Sequence, residues 1–147
     1  MTSKKTRAGM ESVNWIHMGQ WPCFVGFTTS EKAFKKKLKR LKVKKNVSFM
    51  GTARANATTH TFYYEDKTCY IVTCAAFDKK KVSRESYAAL IAHEVEHVLQ
   101  YMRDDYARGN PLGVEADAYL MQYLTMMMLA DAWKTKRTKA IKPASFG

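Results

Sequence analysis

Acidic residues are scarce in this chain. Only 13 Asp and Glu stand against 25 Lys and Arg, giving a net charge of +12 over 147 residues. That imbalance fits an anionic partner, with nucleic acid, an acidic protein or a capsid surface as the classes it admits. Cysteine is nearly as sparse. Cys23, Cys69 and Cys74 are odd in number and lack CxxC spacing, which excludes a disulfide framework and leaves reduced, partly buried thiols in a cytoplasmic setting. Cys69 and Cys74 would face opposite sides of a shared strand and cannot bridge each other. No apolar run is long enough to cross a membrane, and the charged stretch Met1–Met10 is followed by no apolar core of a leader, so neither a signal peptide nor a transmembrane helix is expected. Glycine-rich phosphate or dinucleotide fingerprints and internal repeats are missing too. Histidine occurs four times, at His17, His60, His93 and His97, and two of the four fall within one pentapeptide.

That pentapeptide is His93-Glu94-Val95-Glu96-His97, an HExxH motif. On a helix, residues four apart project from one face, so His93 and His97 can reach a single metal ion while Glu94 reaches water bound to it. The surroundings predict such a helix. Ser83-Arg84-Glu85-Ser86 supplies hydroxyl caps and an early acid. Ile91, Val95, Val98 and Met102 form one stripe of 3.6-residue period. At about 100° per residue, His93, His97 and Gln100 cluster on another face, centred more than 90° from that stripe. One face can therefore bury while the other presents imidazoles to a cleft.

Catalytic zinc usually takes three protein ligands and leaves one position for water. After the motif, Arg103 to Gly113 reads as a turn-rich connection with Gly109, Asn110-Pro111 and Gly113. Val114-Glu115-Ala116-Asp117 then opens a second helix, and this reversal can carry Glu115 back over the first. Glu115 is the expected third ligand. Asp117 is the competitor, turned about 200° away on the same helix. An acid in a first turn also has a purely structural use, pairing with the helix dipole.

At this point the chain resembles the gluzincin metallopeptidases and, more narrowly, a group of small phage-encoded metallopeptidase-like proteins. The stretches that carry the resemblance are Trp21-Pro22 with Gly26-Phe27 and Ser30-Glu31-Lys32-Ala33-Phe34, then Ala57-Thr58-Thr59-His60, Ile71-Val72-Thr73, His93-Glu94 with His97-Val98-Leu99-Gln100, and Glu115-Ala116-Asp117-Ala118-Tyr119. They span roughly Trp21 to Gln122, and only HExxH is specific by itself. The resemblance implies zinc held by His93, His97 and Glu115, with Glu94 as catalytic acid/base, and a location in the host cytoplasm or the virion. Larger gluzincins often place an acid four residues after the ligand glutamate, where Tyr119 stands here. The implied chemistry is peptide-bond hydrolysis by zinc-activated water, with Glu94 moving the proton. Tyr119, Tyr123 and His60 are the candidates for stabilising the oxyanion. Two other readings stand beside this one: a catalytically silent virion or morphogenesis protein that keeps the fold, and a nucleic-acid-associated module.

The rest of the chain predicts an α+β domain over residues 15–133, a minimal zincin-like arrangement with a polar lead (1–14) and a basic tail (134–147). Trp15, Ile16, Trp21, Phe24, Val25 and Phe27 form an apolar entry. Thr28 and Glu31 make a capping-box pattern for a helix reaching about Leu41, with Phe34, Leu38 and Leu41 on one face. Lys35, Lys36, Lys37, Lys39 and Arg40 occupy the other face, a solvated surface that also offers a nucleic-acid contact. Strands are expected at Val47–Met50, Thr58–Glu65 and Cys69–Ala76. The last two are joined at Glu65-Asp66-Lys67 as a hairpin of a small antiparallel sheet, able to hold extended peptide substrate. The helix from Val114 to about Trp133 is apolar nearly all round and should be buried on several sides.

Overall fold

The computed structural model describes residues 10–19, 21–43, 46–52, 55–63, 68–107 and 114–135. Four strands form one sheet: β1 (Asn14–Ile16), β2 (Cys23–Thr28), β3 (Ala57–Tyr63) and β4 (Cys69–Ala75). Three helices pack around it: α1 (Glu31–Arg40), α2 (Arg84–Met102) and α3 (Val114–Ala132). A π-helical turn, Arg103–Ala107, prolongs α2. The class is α+β, as expected.

The sheet order is β1-β2-β4-β3. It is mixed rather than wholly antiparallel. The expected hairpin is there, with Thr59 opposite Thr73 and Phe62 opposite Tyr70, but β2 and β4 run parallel, with Val25 opposite Ile71. A parallel pair requires a crossover, and α1 followed by β3 supplies it. Val47–Met50 is not a strand; it lies outside the sheet, with Phe49 set against Phe34 and the carbonyl of Phe49 facing His60. The turn at Glu65-Asp66-Lys67, the lead before Met10 and the tail from residue 136 lie outside the described residues.

Strand alternation divides the core in two. One face of the sheet, with Cys23, Val25, Phe27, Cys69, Ile71 and Ala75, packs on α2 and α3. The other carries Val72 and Cys74 beneath Phe34 and Leu38 of α1. Cys69 and Cys74 thus face opposite ways, and all three cysteines are buried and unbridged. Helix α1 starts two residues later than a Thr28–Glu31 box requires. Ser30 is its N-cap, accepting from the Ala33 amide, while the Thr28 hydroxyl donates to the carbonyl of Ser12 and accepts from the Ser30 amide. Helix α2 is capped as expected by Ser83, and Ile91, Val95, Val98 and Met102 are all buried. Leu124, Met127, Met128, Ala130 and Ala132 bury α3. No described helix is long and apolar enough to cross a membrane.

Candidate metal centre

Helix α2 crosses the sheet beside β3, with Glu94 turned toward the sheet and the histidines turned outward. His93 is 69% exposed and Glu94 only 5% at the side chain. The imidazoles meet edge-on, with their Nε2 atoms 3.3 Å apart. Glu94 Oε2 lies 3.9 Å from His93 Nε2. Donor atoms of His93, Glu94 and His97 all fall within 4.8 Å of one another, a group that could hold a metal ion.

Two hydrogen-bonded partners shape this group. His97 Nδ1 stands 2.9 Å from Gln100 Oε1. An amide oxygen only accepts, so the ring proton sits on Nδ1 and leaves the Nε2 lone pair directed at His93. Metal-binding histidines are commonly fixed through their other nitrogen in this way. Beneath the helix, Thr59 of β3 donates to Glu94 Oε1 at 3.0 Å. With its one proton so engaged, Thr59 accepts from Thr73 of β4, 2.9 Å away. A Thr–Thr–Glu relay thus anchors the carboxylate to the sheet. A carboxylate this far removed from water calls for a compensating positive charge, and the histidine pair is where a cation would supply one. The donor set therefore fits a divalent metal.

Glu115 is not brought to this group. It is exposed in the first turn of α3 and lies outside the set of donors. Its competitor Asp117 turns inward instead, on the same side of α3 as the buried Leu124 and Met128, but it meets a cation and not the histidines. Arg103, in the π-helical turn, reaches Asp117 Oδ2 at 3.2 Å with Nη2 and Glu96 Oε1 at 3.1 Å with Nη1. This clamp ties α3 to α2 on the side of α3 that buries Leu124 and Met128, and Glu115 is left in solvent.

Two of the oxyanion candidates are engaged by other partners. His60 points to the opposite sheet face, stacked on Phe34 with ring centroids 4.9 Å apart and bonded through Nε2 to the Phe49 carbonyl at 3.0 Å. Burial lowers its pKa, an effect opposed by the Phe49 carbonyl and the negative charge of Glu94. The Tyr123 hydroxyl donates to the carbonyl of His17. Tyr119 is half-buried on α3.

Sequence reasoning did not find Thr59 and Thr73. Their signal was two hydroxyls at inward positions of strands whose other inward residues include Cys69, Ile71 and Ala75. No family model matches this chain, and no curated protein or solved structure is similar to it.

Proposed function

We propose that the protein is a zinc-dependent hydrolase of peptide bonds built on His93, His97 and Glu94. One observation carries the reading. The facing imidazole nitrogens are 3.3 Å apart, the spacing of two ligands held at about 2.0–2.1 Å from one tetrahedral zinc. An imidazole–imidazole hydrogen bond alone would not account for the buried carboxylate alongside. Bound zinc would supply a Lewis acid and lower the pKa of water toward about 7. Glu94 accepts and returns the proton at Oε2, the oxygen facing the histidines, while Thr59 holds Oε1 and keeps the carboxylate in place. Gln100 fixes the His97 ring. Edge strand β3, which carries Thr59, offers its backbone to an extended peptide.

A second reading has one observation in its favour, the exposed position of Glu115. With two histidines and Glu94 as the only described donors, the protein would be a virion or morphogenesis component that kept the fold without turnover.

Calorimetric titration of metal-free protein with zinc, together with casein digestion, tests both. About one equivalent bound, lost in His93→Ala, supports the centre. Casein cleavage that disappears in Glu94→Gln while zinc remains bound supports the enzyme. Zinc binding without cleavage selects the second reading, and no zinc binding removes the metal centre altogether.

A further inference from the structure

The sheet face opposite the histidines is only partly covered. Helix α1 shields Val72 and Cys74, but beyond it three rings lie together. Phe24 of β2 and Tyr70 of β4 are direct cross-strand partners, and they stack at 5.0 Å with planes 14° apart. Trp15 of β1 meets both edge-on, at 6.4 and 5.9 Å. Its indole lies across Gly26, where a Cβ would come within 2.8 Å of the ring. Glycine in mid-strand is what lets the indole lie flat. Covering a sheet glycine with an aromatic ring is a known packing device and explains Trp15. It does not explain Phe24, which remains 50% exposed near the start of β2.

The border of these rings is basic. Lys37 Nζ stands 5.1 Å above the Trp15 ring. With about 100° per residue, Arg40 lies on the flank of α1 that Lys37 occupies, and it is exposed. Lys35 belongs to the other flank, where it reaches the Val47 carbonyl.

We propose that this face binds single-stranded nucleic acid, with bases stacking on Phe24 and Tyr70 and phosphates contacting Lys37 and Arg40. Stacking platforms beside positive grooves bind single strands with little regard for sequence, since every base has a π-face. A duplex hides its base faces and offers such rings nothing to stack on. The net charge of +12 supplies the attraction between chain and phosphates. The proposal does not depend on the metal centre, which lies on the opposite side of the sheet.

The test is fluorescence anisotropy with labelled oligothymidine and oligouridine of about 15 nucleotides, a length within the usual range of single-strand sites. Either strand should bind at low salt, with affinity falling as salt rises. Phe24→Ala should weaken binding roughly tenfold, and Phe24→Tyr should restore it. Lys37→Gln and Arg40→Gln should each flatten the salt dependence, by about 0.7 in the log–log slope. The exposed position of Phe24 makes a folded variant the expectation, checked by thermal unfolding. Absence of binding to both strands overturns the proposal, as does equal affinity for duplex or an unaltered affinity in Phe24→Ala. Self-association lost in Phe24→Ala without any effect on oligonucleotide would assign the rings to a second copy of the chain and overturn it too.

Discussion

Thr59, on an edge strand, donates its hydroxyl proton to Glu94, 35 residues further along the chain, at 3.0 Å. This contact links sheet and helix at the point where the proposed chemistry needs a fixed carboxylate. Thr59→Val keeps the side-chain shape but deletes the donor, leaving Glu94 Oε1 and the Thr73 hydroxyl without their partner. Such a loss inside a protein costs about 1–3 kcal/mol. Chemical denaturation should show that loss, and Thr59→Ser should recover most of it. Equal stability of Thr59→Val and the parent would mean that the relay does not anchor Glu94.

The position of Glu115 yields a sharper test. Removing even a supporting partner of a metal ligand costs 10–100-fold in affinity, so loss of a direct ligand costs at least that. With Arg103 holding Asp117 and Glu115 in solvent, Glu115→Ala should leave zinc affinity close to that of the parent, while His97→Ala abolishes binding. If Glu115→Ala loses zinc as His97→Ala does, the first turn of α3 must rotate on binding and the Arg103–Asp117 contact must open. Arg103→Ala would then raise affinity.

Local periodicity made much of this legible in advance. Helix α2 could be read from Ile91, Val95, Val98 and Met102 because a single stripe dictates both its existence and its buried face. The β3–β4 hairpin could be read because its strands are neighbours in sequence. The pairing of β2 with β4 could not, since a parallel contact across a crossover leaves no local pattern. Nor could the choice between Glu115 and Asp117. Both lie in the first turn of α3, and which faces inward follows from long-range packing: Asp117 shares the side of the buried Leu124 and Met128 and meets Arg103, fourteen residues before it. Sequence spacing likewise put His60 on a strand but not on a face. Thr59 takes the face toward Glu94, so its neighbour His60 must take the face under α1.

That placement gives His60 a pH signature. Burial against Phe34 depresses its pKa below the ordinary 6.5. The unfolded chain therefore binds the proton first, and stability falls as pH drops through 6.5 toward the lower folded value. Above 6.5 the ring is neutral in both states and its contribution is constant. Denaturation midpoints between pH 7 and 5 should fall less steeply in His60→Gln, whose amide can still donate to the Phe49 carbonyl. Ring-proton NMR should place the His60 titration below 6.5. A midpoint at or above 6.5 would show that the ring is not desolvated as its packing requires.

Buried thiols contribute on the alkaline side. Cys23 is pushed up to about 12, chiefly by burial and further by the neighbouring Cys69 and Asp105. The sign is opposite to that of His60. Between the ordinary value of 9.0 and 12 the unfolded chain releases a proton that the folded chain keeps, so stability is lost as pH rises through this window. Reactivity follows the same charge balance, because the thiolate is the nucleophile. At pH 8 a thiol titrating near 12 is ionised in only about one molecule in ten thousand. Cys23 should therefore resist a thiol-directed reagent in the native protein and react promptly once denaturant is added. Peptide mapping after brief labelling identifies the site. Modification of Cys23 in the native state at a rate near that of a free thiol would mean that the end of β2 opens, and that the contact between Cys23 and β4 is not maintained in solution.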